Sequence, residues 1–410
     1  MDWYYYIAIA AIASQLLFLL QAYNNHRYAL KKYRKKRWYR PRTVLIIPCK
    51  GLDSAFEENI TSFFNQEYDN YSLWFVVANE SDPAYPELCR LKKQLGKKTM
   101  AREVKVFVAG HGQSCSQKNH NLLYCYEKIG NDIDVLAFAD SDICVKSNWL
   151  SHLVYPLRKS KHGAASGYRW FVPEKNNIPS LALSALNAKV AQLLGNTIFN
   201  QAWGGSMAIR VDVFRRIGLD KIWKQTLSDD LSLSRSVKKA GLNVAFVPAC
   251  LVASYESTTW RKLFEFARRQ YMITRVAARG TWLFGLFSSL YSVLGLWGGI
   301  FIAWLVIRGS WFDPEFTSQE KFILLSLPVV FLGGQLTRAL LRQNTMRKLL
   351  EKDRRKMRIA CLADILFSWV WSLLMLFFIL SSAFGNVVCW RGIRYKLSGP
   401  TETIILDSQT

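Results

Sequence analysis

The sequence predicts a doubly wound α/β domain held between an N-terminal anchor helix and C-terminal membrane helices. Three observations carry this expectation. Four short runs rich in β-branched and aromatic residues recur between residues 43 and 140, with helix-compatible stretches between them. A long uncharged run opens the chain, and three more apolar runs fill its last third.

The four runs are TVLIIP (43–48), LWFVVA (73–78), VKVFVAG (104–110) and VLAFAD (135–140). Each is apolar almost throughout, as a strand buried on both faces must be. Residues 54–66, 84–96 and 116–128 between them suit helices. This alternation implies a mostly parallel sheet with its chemistry at the C-terminal strand ends. No G-x-G-x-x-G follows the first run, so a dinucleotide-binding fold is not indicated. The domain is expected to cover residues 43–253.

The opening run, WYYYIAIAAIASQLLFLLQAY (3–23), is long enough to cross a bilayer. Asp2 precedes it and KKYRKKRWYR follows it. A secretory signal carries its positive charge first, so this order reads as a retained anchor whose C-terminal side is cytosolic. The anchor is assigned to residues 1–25 and a basic linker to 26–42, with Tyr4, Tyr5, Tyr6 and Trp38 as interface aromatics. Residues 254–280 are basic and carry Trp260, Phe264, Phe266 and Tyr271, which predicts amphipathic helices on the membrane surface. Membrane helices are expected within 281–397, followed by a tail at 398–410. Residues 281–307 and 321–341 are apolar, and Asp313, Glu315 and Glu320 between them suit the far side of the membrane. A single crossing by 360–384 would put Arg391, Arg394 and Lys396 outside, against the positive-inside tendency; a hairpin or in-plane segment would not.

The 410 residues carry 54 Lys and Arg against 30 Asp and Glu, a net charge of +24. Much of the excess flanks apolar runs, at 31–42 and 342–358, where it is the ordinary topology signal. A nucleic-acid role is therefore not expected. The eight cysteines are scattered, with no C-x-x-C pair, and read as reduced thiols without a zinc site.

Chemistry is expected at two acidic segments. FADSDICV (138–145) ends a strand in Asp140-Ser141-Asp142. Carboxylates at i and i+2 on a turn can hold a hard divalent cation, which would neutralise charge on a diphosphate leaving group. LSDDLSLS (227–234) places Asp229 and Asp230 before a helical run. N-capping by Ser228 or Asp229 explains one such residue, but not the adjacent second carboxylate. Asp230 is the candidate base for taking a proton from an acceptor hydroxyl.

Supporting pieces surround these two. VVANESDPAY (76–85) opens a strand onto Asn79, Glu80, Ser81 and Asp82, suited either to binding a base or ribose or to a plain polar turn. PCKG (48–51) offers Lys50 to a phosphate. GHGQSCSQKNHNL (110–122) offers backbone N–H groups, Lys118 and Asn121 to an anion. WGGSMAIR (203–210) sets Gly204 and Gly205 where backbone can approach a ligand closely. In FARRQYMITR (266–275), Arg268, Arg269 and Gln270 can hold a diphosphate and Tyr271 can stack on a sugar; a membrane-surface basic patch is the alternative.

The order of these pieces resembles glycosyltransferase family two, and within it the ceramide glucosyltransferase group. PCKG is similar to that group's K-P-L-K-G, ESDPA (80–84) to its D-D-P-A, and SQKNHNL (116–122) to its P-K-I-N-N-L. GGSMAIR and SDDL also agree in order and approximate spacing. The likeness covers about residues 43–275. It implies a GT-A fold, an inverting mechanism, a UDP-sugar donor, a lipid acceptor in the membrane, and Mg²⁺ or Mn²⁺. By this likeness Asp140 and Asp142 fall at the metal and diphosphate positions, Asp230 at the base, Glu80 or Asp82 in the uridine turn, and Lys118 in the lysine segment.

Two features depart from the pattern. Asn79 stands where an acidic residue is usual. The (Q/R)-x-x-R-W motif aligns at 267–271 with Gln270 and Tyr271 in place of Arg and Trp, which argues against a chain-polymerising synthase. WRGIRYKL (390–397) resembles a segment of bacterial lipid-directed members and implies a bacterial inner-membrane protein. The competing readings are transfer to diacylglycerol, a hopanoid or a polysaccharide, and an inactive transferase-fold membrane protein. A transporter would need many spans with charges paired inside them, and here half the chain reads as soluble.

Overall fold

The computed structural model describes residues 3–33, 38–53, 55–112, 114–308, 317–390 and 392–408. Several expectations lie outside these residues: Asp2, the basic residues 34–37, Asp313 and Glu315, Arg391, and the side chain of Tyr4.

Helix α1 (Trp3–Tyr33) leads in. The domain then alternates as expected: β1 (Thr43–Pro48), α2 (Phe56–Phe64), β2 (Tyr71–Val77), α3 (Ala84–Leu95), β3 (Glu103–Val108), α4 (Gln117–Tyr126) and β4 (Val135–Ala139). It continues through α5 (Trp149–Val154), β5 (His162–Pro173), α6 (Ile178–Ala191), β6 (Ser206–Arg210), α7 (Val211–Arg216), α8 (Leu219–Trp223), α9 (Asp229–Lys239) and β7 (Asn243–Glu256). The seven strands form one sheet in the order β3-β2-β1-β4-β6-β5-β7. Only β6 runs against its neighbours β4 and β5. All residues of β2 and β4 are buried, because helices cover both faces. One core lies under α2, α3 and α5, around Phe63, Phe75 and Trp149. The other lies under α4 and α7–α9, around Phe138, Phe214 and Trp223.

Beyond the sheet come α10 (Trp260–Ala277), α11 (Arg279–Val293), α12 (Gly299–Arg308), α13 (Ser318–Leu349), α14 (Arg358–Leu366) and α15 (Ser368–Ser381). Among the described residues, three helical stretches are long and apolar enough to cross a membrane: Tyr5–Tyr33, Arg279–Arg308 and Ser318–Leu349. The anchor does not stop at residue 25. It runs on to Tyr33, because its last turns dock on the domain: the Tyr28 hydroxyl donates to the Phe246 carbonyl at 2.9 Å. The amphipathic stretch also differs at its start. Residues 254–256 finish β7, and one helix follows, capped by Thr259.

The last apolar run is not one straight helix. α14 and α15 meet at a bend of 82°. Before the pair, Lys146 Nζ donates to the Leu349 carbonyl at 2.9 Å and the Tyr255 hydroxyl to Asp353 at 2.6 Å. After it, Arg268 donates to the Ser381 carbonyl at 3.1 Å. Both ends rest on the domain and α10, so the pair leaves and returns on the same side, as a re-entrant hairpin does.

A second correction follows. Residues 387–408, expected as the end of the membrane helices and a tail, form a three-stranded antiparallel sheet of β8 (Val387–Trp390), β9 (Ile393–Gly399) and β10 (Glu402–Ser408). Tyr395 and Leu397 alternate inward along β9 and bury against Leu227 and Met272. That period of two suits a strand and not a helix.

One ion pair is buried within the helical layer. Arg342 donates to both Asp364 oxygens, at 2.6 and 2.5 Å, and Gln343 adds a third bond at 2.6 Å. The pair is almost wholly buried, at 4% and 1% exposure. Removing one partner of such a pair costs about 3–5 kcal/mol, because the other is left charged and dry. Asp364→Ala should therefore lower the thermal unfolding midpoint of the detergent-solubilised protein sharply. Arg342→Met with Asp364→Leu should recover most of the loss, and an unchanged midpoint in the single variant would contradict this reading.

Candidate active site

Four elements deliver the site. β4 ends at Ala139 and leaves Asp140 on the turn. Ser116 caps α4 by accepting from the Asn119 N–H, which sets Lys118 in the first turn. Ser228 caps α9 by accepting from the Leu231 N–H, which puts Asp229 and Asp230 at that helix's positive end. Gly204 lies on the turn just before β6.

Lys118 joins them. Its Nζ lies 2.7 Å from Asp140 Oδ1 and 3.0 Å from Asp229 Oδ2. The first contact is a hydrogen bond; the second is off the line of one, so it is chiefly ionic. Burial alone would lower the Lys118 ammonium's pKa, but Asp140 and then Asp229 outweigh it and hold it well above its usual value. Burial raises the Asp229 carboxyl to about 6 against the pull of Lys118, with Asp230 and Asp140 adding to the rise.

Asp230 is held separately. Its Oδ2 accepts from the Gly204 N–H at 3.0 Å, and its Oδ1 from the Ser228 hydroxyl at 2.6 Å and the Leu231 N–H at 2.7 Å. Ser228 is thus the cap, and Asp230 shares in it by accepting from the same Leu231 N–H. Gly204 is required by close approach: a Cβ there would stand 2.4 Å from Asp229 Oδ2 and 2.7 Å from Lys118 Nζ. Gly205 packs its backbone against the Trp203 ring.

Asp142 is exposed on the same turn as Asp140 and lies within electrostatic reach of Glu256. Burial raises the Glu256 carboxyl's pKa, Arg169 opposes this, and Glu174 and Asp142 add to it. Among the described residues no three His, Cys, Asp or Glu side chains close into a metal cage.

The remaining expected residues fall into three groups. The turns after β1 and β2 are tied together: Asp82 Oδ1 accepts from the Gly51 N–H at 2.8 Å and the Ala84 N–H at 2.9 Å. Lys50 and Glu80 are exposed on those turns. Asn121 does not face open space. It is buried at 3% exposure and accepts from Gln117 at 2.7 Å, because its position in α4 points under the helix. It shapes the loop ahead of Lys118 through Gln117.

Arg268, Arg269, Gln270 and Tyr271 sit on α10. Arg268 and Arg269 spend hydrogen bonds on carbonyls of Ser381, Phe384 and Cys389. These bonds fasten the segment after α15. Gln270 is exposed, and burial raises the Tyr271 hydroxyl's pKa beyond its usual range. The aspartate cluster is not among their described contacts.

Sequence reasoning missed the wall beside Asp230. Tyr168 and Trp203 meet edge to face at 6.0 Å between ring centroids, and Arg169 lies 5.3 Å over Trp203. Burial pushes the Tyr168 hydroxyl up to about 12, with Asp230 adding to the rise. His111, 3.2 Å from Asn79, was missed as well. The signal was GYRWF (167–171), which reads as an ordinary strand until the middle of β5 is seen to pass beside Asp230.

A family model described as glycosyl transferase family 21 matches residues 4–402. The chain belongs to glycosyl transferase family 21. This is the ceramide glucosyltransferase family, of GT-A type, so the likeness read from PCKG, GGSMAIR and SDDL is borne out. The chain is a glycosyltransferase that uses a nucleotide sugar. Two solved structures are similar to it. One is the mannosyltransferase PcManGT from Pyrobaculum calidifontis, in complex with GDP-Man and Mn²⁺. It is 16% identical with a TM-score of 0.45, over 92% of this chain and 97% of that one. The other is GalNAc-T7 with UDP, GalNAc and Mn²⁺. It is 13% identical with a TM-score of 0.38, over 69% of this chain and 54% of that one.

Gly204→Ala should reduce kcat/KM for sugar transfer about a hundredfold, as small misplacements of reacting groups do. Thermal unfolding should shift only a little, since the added methyl meets side chains at a cleft. A near-native rate would show that the close approach of Gly204 to Asp229 and Lys118 is not needed.

Proposed function

We propose that this glycosyltransferase moves a hexose, with inversion, from a UDP-sugar to the hydroxyl of a membrane lipid. The observation that carries the reading is the meeting of Asp140, Asp229 and Asp230 around Lys118, on a domain docked to apolar helices long enough to span a bilayer. The basic stretch 342–358 supports a cytosolic position for that domain.

The donor's uridine is assigned to the turn holding Asn79, Glu80 and Asp82, with His111 beside it. Lys50 and the loop before Lys118 face its phosphates. Asp140 and Asp142 are the residues that would hold Mg²⁺ or Mn²⁺. Two carboxylates on one turn fit such a cation, which takes its other oxygens from diphosphate and water instead of an all-protein cage. When bound, the ion supplies charge neutralisation for the departing diphosphate.

Asp230 takes the proton. Three hydrogen-bond donors fix its carboxylate beside the Tyr168–Trp203 wall, where the sugar would sit. The acceptor oxygen forms a bond to the anomeric carbon as the bond to UDP breaks. Its proton passes to Asp230, and UDP leaves with the electron pair. Lys118 and Asp229 keep the strand-end turn and the α9 terminus in register.

Asp230→Asn should lower transfer by about 10²–10⁴-fold, the usual worth of a general base, while UDP still binds. Membranes holding the wild-type protein should transfer labelled hexose to extracted lipid only with a divalent cation, and chelation should stop the reaction. Full turnover by Asp230→Asn would remove this residue from the chemistry. Labelled product found only in water-soluble material would remove the lipid acceptor.

A further inference from the structure

The loop between α6 and β6 exposes large apolar side chains in an unusual place. Leu193 is 51% exposed, Ile198 62% and Phe199 78%. Three residues of this size, open within one short loop, are rarely left in water.

The loop is nevertheless firmly built. Asn200 is buried; it accepts from the Gly195 N–H and donates to the carbonyls of Gly195, Thr197 and Val244. Its outer contacts are to the apolar helices. Asn25 of α1 donates to the carbonyls of Gln192 and Leu193, at 3.1 and 3.2 Å. Gly195 backs so closely onto Asn25 that a Cβ would meet its oxygen at 2.0 Å. Gln192 donates to the Arg338 carbonyl of α13 at 2.8 Å, and Gln201 to Thr281 of α11 at 2.9 Å. Three membrane-length helices therefore grip the two ends of a rigid loop with an apolar tip. One turn beyond Thr281, on the membrane-length stretch Arg279–Arg308, Phe284 is itself 48% exposed. The same loop continues through Trp203 to Gly204, whose N–H holds Asp230.

We propose that Leu193, Ile198 and Phe199 are immersed in the lipid acyl region, where they form the threshold over which the acceptor's hydrocarbon passes to Asp230. The occupant is bilayer hydrocarbon, because the loop is held against three helices long and apolar enough to span a bilayer. The threshold role rests on the lipid-acceptor reading; the immersion does not.

The test uses the full chain in phosphatidylcholine vesicles, with Cys89, Cys144, Cys361 and Cys389 replaced by serine. An environment-sensitive fluorophore is attached at Phe199→Cys and, as a control, at Lys97→Cys on the exposed segment after α3. Brominated acyl chains should quench the probe at 199 and not at 97. A probe at 199 that is unquenched and emits as in water would overturn the immersion. In parallel, Ile198→Ser with Phe199→Ser should raise KM for a long-chain acceptor about tenfold. KM for the UDP-sugar should stay the same, and Phe199→Leu should restore the acceptor KM. Quenching at 199 with an unchanged acceptor KM would overturn the threshold role. If the wild-type protein glycosylates no lipid, the acceptor reading falls, and the quenching result still decides the immersion.

Discussion

One buried ammonium organises the candidate active site of this protein. Lys118 is only 13% exposed and holds Asp140 from β4 and Asp229 from α9. Without it those carboxylates, with Asp230 beside them, would repel one another in a poorly solvated space. An attraction of this kind is worth much more where water is excluded than at a surface. The arrangement also separates two jobs that adjacent residues might share. Asp229 is buried and tied to the lysine. Asp230 is bound by neutral donors, so its carboxylate can accept a proton without breaking an ion pair.

The same logic ties the domain to its helices. Several polar groups that sit where the two layers meet have a partner from the other layer. Tyr28 reaches Phe246, Asn25 reaches the end of α6, and Lys189 Nζ donates to Ser372 at 2.7 Å. Burial and then Arg342 push the Lys189 ammonium down to about 7, so even this cation is partly neutralised by its surroundings. Fixed contacts of this sort give the domain one orientation on its apolar platform. Under the proposed lipid-acceptor reading, joining a soluble donor to a bilayer-held acceptor needs such an orientation.

Much of this was legible in the sequence because strand ends and helix starts carry strong local signals. TVLIIP and VLAFAD, short and rich in β-branched and aromatic residues, read as buried strands; D-S-D stands out at the end of the second, and S-D-D before a helical run. The likeness of SQKNHNL to a segment of the family also pointed to Lys118. What stayed hidden depended on long-range packing. Asn121 looked available, but helix phase turns it inward onto Gln117. Arg268 and Arg269 read as diphosphate ligands, and the structure adds bonds to the carbonyls of Ser381, Phe384 and Cys389 that only long-range packing creates. Tyr168 and Arg169 gain meaning only when β5 comes to lie beside α9. The small C-terminal sheet was masked by preceding apolar helices, although Tyr395 and Leu397 already showed the alternation of a strand.

The most direct measurement is the transfer rate of Lys118→Met, made beside a check of secondary structure by circular dichroism. Methionine keeps the length and removes the charge. Loss of transfer by more than about a hundredfold in a folded protein is the predicted result, since Asp140 and Asp229 would no longer be held together. A folded Lys118→Met protein that transfers hexose within about twofold of wild type would contradict the central place given to this ion pair.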